Sequence, residues 1–209
     1  MCSSDLFPSH DTKYKGVPCY ATEKLDGSSC TIYRKGKHIG VCTRKREVDN
    51  TSRMYQTAEK QGLLDFIYNL DKDIAIQGEF VGPKEQGNHL HLSEPHIYIF
   101  SVYDINKQGY FDQDSMDVFL GSHDIDTVPV IDEFNLTDDI DALVKRATGN
   151  STFGNFPREG IVIRPIEPIE GLVGFPGNRK SCHHRQHLNG CTLFSSANSI
   201  IKPHRTLGH

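Results

Sequence analysis

The stretch VPCYATEKLDGSSCTIYRKGKHIGVCTR, residues 17–44, decides the fold. Val17 to Lys24 reads as a strand. Ser28 to Tyr33 and His38 to Arg44 flank Arg34-Lys35-Gly36-Lys37, and Gly36 can supply the positive φ that a tight hairpin needs. Lys24 closes the first strand and Asp26-Gly27 turns the chain into the hairpin. An amine is therefore expected at the mouth of a sheet, beside open backbone N–H groups.

The pattern continues outward. Thr51 to Leu70 predicts a helix, with Met54, Ala58, Leu63, Phe66, Ile67 and Leu70 near a 3.6-residue period and Gly62 as its weak point. Asp73 to Phe80 and His96 to Ile105 alternate as strands. Asp114 to Leu120 predicts a short helix and Val128 to Val130 a brief strand. Thr137 is an N-cap for a helix to about Ala147, with Asp138 and Asp139 at its positive end. Gly160 to Arg164 reads as a buried strand. Hairpin-like pairs with helices inserted irregularly predict an α+β domain on antiparallel sheets, not a doubly wound parallel fold.

Composition bounds the rest. The chain has 209 residues, 36% hydrophobic and 24% charged, which excludes collagen, coiled coil and wholesale disorder. No apolar run approaches the roughly 18 residues that span a membrane, and no secretory signal opens the chain. Six cysteines are too sparse for a disulfide scaffold; Cys19, Cys30 and Cys42 fall in strands and are expected as buried thiols, and a reducing cytoplasm is the expected compartment. Residues 1–16 read as a leader or fragment edge. Residues 1–170 carry 18 Lys and Arg against 27 Asp and Glu, a net −9, whereas 171–209 carry five cations, no acid and five of the eleven histidines. The division expected is a domain over 17–170 and an atypical basic, His-rich tail over 171–209. The acidic body offers no evident strip of positive charge for nucleic acid.

Four further segments place chemistry beside Lys24. Gln77-Gly78-Glu79-Phe80-Val81-Gly82-Pro83 puts a carboxylate at a strand end. Phe100-Ser101-Val102-Tyr103-Asp104-Ile105 puts an aromatic next to an acid. Arg158-Glu159-Gly160-Ile161-Val162-Ile163-Arg164-Pro165 puts a carboxylate at a strand start, and Cys42-Thr43-Arg44 offers a cation at the hairpin's end. Each has a plain alternative: a solvated turn for Lys24 and Asp26, a surface pair with Glu47 for Arg44, a strand-end acid for Glu79, core for Tyr103, a loop cap for Glu159. His89, His91 and His96 read as surface or packing histidines.

In this order the segments resemble the covalent nucleotidyltransferases, the superfamily of ATP-dependent ligases and mRNA capping enzymes. Within it they are most similar to RNA ligases of the phage T4 RNA ligase 2 type, over about residues 17–165. The resemblance implies two antiparallel sheets with flanking helices around an ATP cleft, a nucleotidyltransferase or ATP-grasp-like domain. It implies ATP and Mg²⁺ or Mn²⁺ as cofactors, and RNA with nicked or broken strands as partner. It also implies an accessory domain beyond this one. Lys24 resembles the nucleophile that becomes lysyl-AMP, Glu23 the reader of the adenine edge, and Arg44 the cation on sugar and phosphate. Glu79 resembles the acid on the ribose hydroxyls, Tyr103 the aromatic that stacks on the base, and Glu159 the acid that holds the metal.

An amine must lose its proton before it can attack phosphorus. Phosphoryl-type transfer is otherwise mostly positioning and charge neutralisation. The pattern departs from the family twice. Ser29 stands where the T4 type has Asn. No apolar strand with Lys-x-Lys follows Glu159 at about twenty residues; Lys180 has the spacing without the strand, and Lys202, after Ser199-Ile200-Ile201, has the strand but lies far along the chain. The tail admits three readings: a basic nucleic-acid-binding extension, an irregular zinc set of Cys182, His183, His184, His187 and Cys191, or a terminus read out of frame. Besides an RNA ligase, the scaffold allows a DNA ligase, a capping guanylyltransferase, or a non-catalytic nucleic-acid-binding remnant.

Overall fold

The computed structural model describes residues 14–167, 169 and 199–201. Two antiparallel sheets carry the fold. The larger has six strands in the order β4-β3-β2-β5-β6-β7. These are β2 (Ser28–Lys35), β3 (His38–Thr43), β4 (Glu47–Val48), β5 (Ile74–Val81), β6 (His96–Asp104) and β7 (Gly109–Tyr110). The smaller runs β10-β9-β1-β8, with β1 (Pro18–Glu23), β8 (Val130–Asn135), β9 (Ile161–Pro165) and β10 (Ser199–Ile201).

Strand periodicity sorts the faces. Ile32, Ile74, Ile76 and Ile99 point to one side of the large sheet. There they pack with Met54 and Ala58 of α1 (Arg53–Lys60), Leu63 and Ile67 of α2 (Leu63–Tyr68), and Met116 and Leu120 of α3 (Gln113–Gly121). Cys19 and Ala21 of β1 pack with Ile161 and Ile163 of β9 against Leu143 and Ala147 of α4 (Ile140–Ala147). The three cysteines of the expectation are buried. The opposite faces approach each other around Arg164, whose guanidinium stands 5.3 Å from the Phe100 ring centroid and donates to Thr22 Oγ1 at 3.2 Å. No helix among the described residues is long and apolar enough to cross a membrane.

Three local expectations are corrected. The single helix over 51–70 is two, because Gly62 takes φ 71° and restarts the chain as α2. The brief strand at Val128 to Val130 lies instead at Val130–Asn135, an edge strand so partly exposed that it lacks clean alternation. The cap of α4 is Asp139, whose Oδ1 accepts from Ala142 N–H at 3.1 Å; Thr137 serves one step earlier, accepting from Asp139 N–H.

The Lys24-to-Ser28 turn is seated by Gly27. A Cβ there would lie 2.3 Å from the Phe80 carbonyl oxygen and 2.7 Å from Val81 Cγ1, so only glycine lets the turn rest on β5. Gly27→Ala is expected to cost about 1–3 kcal/mol in urea unfolding, as overpacking against fixed backbone does. Gly109→Ala, which meets nothing within 4 Å, is the near-neutral control.

Candidate active site

The site begins with strand direction. β1 pairs antiparallel with β9, Glu23 opposite Ile161, and Lys24 N–H donates to Gly160 O at 3.1 Å. The end of one strand therefore meets the start of the other. Lys24 Nζ lies 2.5 Å from Glu159 Oε2, with the two side chains 16% and 20% exposed. Arg158 sets the approach to Glu159. Its guanidinium donates to the carbonyls of Arg146, Ala147 and Thr148 at 3.0–3.1 Å, capping the C-terminal end of α4.

Glu79 comes from β5, opposite Ser29 of β2. Burial pushes its carboxyl up to about 7, against the pull of the Lys24 charge and a hydrogen bond from Gly27 N–H; Asp26 and Glu159 add repulsion. Lys24, Asp26 and Glu159 thus all lie close enough to act on Glu79. Asp26 also lies 3.7 Å from His89 Nε2.

A second layer fixes the turn. Ser28 Oγ donates to Glu85 Oε2 at 2.9 Å, Arg53 Nη1 donates to Glu85 Oε1 at 3.2 Å, and Arg53 Nη2 reaches Pro83 O at 2.6 Å. Glu85 thereby joins the start of β2, the loop after β5 and the first turn of α1. Neither Glu85 nor Arg53 stands out in the sequence, since a loop acid and a helix-start arginine carry no periodic signal.

The other sequence-derived residues divide. The Glu23 carboxylate is 2% exposed and already engaged: its Oε2 accepts from Thr152 N–H and Thr152 Oγ1, both at 2.8 Å. These bonds anchor loop 149–158 through one of the carboxylate's two oxygens. Tyr103 is 3% exposed, packed among Tyr33, Cys42 and Ala75 and edge-on to Tyr110 at 5.0 Å. Stacking needs an open ring face, and Tyr103 offers none. Phe100, which the sequence reading passed over, is less buried and lies beneath Arg164. A register shift in β5–β6 pairing leaves Phe100 without a partner in that ladder, which is why alternation did not single it out. Arg44 is exposed just beyond β3; Glu47, the partner in its plain alternative, accepts from Tyr33 Oη and contacts His38.

Chain separation favoured Lys180 over Lys202, yet β10 pairs directly with β9, Ile201 opposite Ile161 and Ile200 opposite Val162. Closing a longer loop costs little extra, so the separation does not oppose that pairing. Lys180, Lys202 and the cysteine–histidine set of the tail lie outside the described residues.

Among the described residues no three ligating side chains already stand together as a metal site. The oxygen donors of Glu79 and Glu159 nonetheless fit a hard divalent cation of the kind held by one or two carboxylates plus substrate phosphates. Burial raises Glu79 most, and such an ion would relieve the smaller repulsion that Asp26 and Glu159 add.

The RNA ligase family model matches residues 17–179. No curated protein matches. Among solved structures, Naegleria gruberi RNA ligase with pyrophosphate is similar at 32% identity and TM-score 0.70, covering 74% of this chain and 48% of that one. A mutant of that ligase with ATP and manganese gives 32% and 0.70, over 74% and 47%. A further mutant with ATP and manganese gives 29% and 0.72, over 79% and 53%. The chain spans about half the length of these ligases.

The raised Glu79 carboxyl has a consequence for stability. The unfolded chain releases this proton near 4.5 and the folded protein near 7, so between those values the folded state holds the extra proton. Stability from this group is therefore lost as pH rises through that window. Glu79→Gln is expected to flatten the fall in melting temperature between about pH 5 and about pH 8, and to exceed the parent at the upper end. Identical pH slopes for the two proteins would contradict the burial of Glu79.

Proposed function

The chain belongs to the RNA ligase family, and from that premise we propose that it is an ATP-dependent RNA ligase that works through a lysyl-AMP intermediate on Lys24. The observation carrying this reading is the 2.5 Å contact between Lys24 Nζ and Glu159, with Glu79 beside it. A nucleophile, a proton acceptor and a further acid meet where an antiparallel strand pair ends.

In the first step, Lys24 Nζ forms a bond to the α-phosphorus of ATP while the bond to the β-phosphate oxygen breaks and pyrophosphate leaves. The proton lost from Nζ goes to Glu159, already in hydrogen-bond contact. In the second, a 5′-phosphate oxygen of RNA attacks the same phosphorus, the P–N bond breaks and Lys24 recovers a proton. In the third, a 3′-hydroxyl attacks the 5′-phosphate phosphorus, and AMP leaves as the phosphodiester forms. Mg²⁺ or Mn²⁺, held by Glu159, would neutralise phosphate charge; the similar ligase was solved with ATP and manganese.

Seating the nucleotide falls to named groups. Arg44 supplies positive charge near the phosphates. Glu79, neutral for part of the time near pH 7, is suited both to donate and to accept with ribose hydroxyls. Glu23 and Thr152 hold the wall beside the base, and Phe100 with Arg164 lies between the sheets. Lys202, next in sequence after β10, is the favoured terminal lysine.

The test is sealing of RNA ends. With ATP and Mg²⁺, RNA bearing a 5′-phosphate is expected to join a 3′-hydroxyl end, RNA bearing a 5′-hydroxyl is not, and Lys24→Arg abolishes joining. Label transferred to the protein from GTP and not from ATP would replace this reading with guanylyl transfer. For the terminal lysine, Lys202→Ala is expected to lower AMP labelling at least about tenfold and Lys180→Ala much less; the reverse order restores Lys180.

A further inference from the structure

The net charge of −9 over residues 1–170 conceals one segment of opposite sign. Residues 34–46 contain Arg34, Lys35, Lys37, Arg44, Lys45 and Arg46 and no acid. The fold sets these cations at the two ends of β3. Arg44, Lys45 and Arg46 are exposed, and so are Lys35 and Lys37 at the hairpin tip.

The inner group is held in shape. Thr43 N–H donates to Arg46 O at 2.8 Å, Thr43 Oγ1 donates to the same oxygen at 3.0 Å, and the N–H groups of Lys45 and Arg46 donate to Thr43 Oγ1 at 3.3 and 3.2 Å. The turn is thus pre-ordered with its charges in solvent. The first acid after it, Glu47, is occupied by Tyr33 and His38. Its position is as informative as its charge. Thr43 pairs with Cys30, and the neighbouring Ser29 pairs with Glu79, so the turn stands at the same sheet end as Lys24, two strands from Glu79.

We propose that the Arg44–Arg46 turn and the Lys35–Lys37 tip form the docking track for the phosphodiester backbone of RNA, which runs along β3 from the site toward the tip. The proposal rests on the ligase reading and adds the surface used by its substrate. At about 3.3 Å per residue, Lys37 and Arg44 lie about 23 Å apart. That is about seven stacked nucleotides at about 3.4 Å each. The exposed turn recruits the strand by charge, and only its end reaches Lys24.

The test separates RNA capture from nucleotide chemistry. Lys45→Ala/Arg46→Ala is expected to take AMP from ATP at the parental rate, which also reports an intact fold. Its transfer of AMP to a 5′-phosphorylated RNA of about 12 nucleotides should fall at least tenfold, and the slope of log affinity against log salt should shrink by about 2. Lys35→Ala/Lys37→Ala should weaken binding of that RNA and leave an oligomer of about four nucleotides unaffected. Parental RNA affinity and salt slope in Lys45→Ala/Arg46→Ala would overturn the proposal. So would binding to phosphatidylserine vesicles with none to RNA. A tip variant that weakens both RNAs equally would overturn the direction of the track. RNA binding is measured without ATP, so absence of AMP labelling in the parent would sink the ligase reading while the salt slope still judged the docking surface.

Discussion

The antiparallel pairing of β1 with β9 is the constraint on which the site depends. Lys24 and Glu159 are 135 residues apart in sequence, and only this strand direction brings the end of one element to the beginning of the other. Parallel pairing would leave them at opposite ends of the sheet. A partly buried ion pair of this kind is weak evidence for stability, because desolvation offsets much of its attraction. Its placement makes better sense as chemistry. The surrounding structure maintains it: Arg158 ties Glu159 to the end of α4, and Gly27 and Glu85 tie the Lys24 turn to β5 and α1.

Around that pair the electrostatics are unbalanced. Asp26 and Glu159 act on Glu79 against the single charge of Lys24, and burial leaves Glu79 with a carboxyl at about 7. Such a cluster is short of positive charge. A divalent cation and the exposed Arg44 are the two sources consistent with the donor chemistry. The cationic turn carries exposed positive charge at the same end of the sheet, a local exception to the acidic body.

Much of this was legible in the sequence because the signals were local. The alternation of residues 17–44, the Asp26-Gly27 turn and the carboxylates at strand boundaries are all short-range patterns, and they placed Lys24, Glu79 and Glu159 correctly relative to their strands. What escaped was set by long-range contact. Nothing near Glu23 announces that Thr152 will occupy its carboxylate. Tyr103 and Phe100 are three residues apart, and a register shift rather than any residue type leaves Phe100 the more open of the two. Ser199-Ile200-Ile201 looked strand-like, but that it would pair with β9 is decided in space and leaves no local signal. The positive segment vanished into the acidic total until the hairpin set its charges at either end of one strand.

The central claim is that Lys24, with Glu159 as its proton acceptor, takes AMP covalently. Peptide-mapping mass spectrometry after incubation with ATP and Mg²⁺ tests it most directly. The account predicts one added AMP on the peptide containing Lys24, with Glu159→Gln forming it at least about tenfold more slowly. AMP on another residue, or formation at the parental rate in Glu159→Gln, would contradict it.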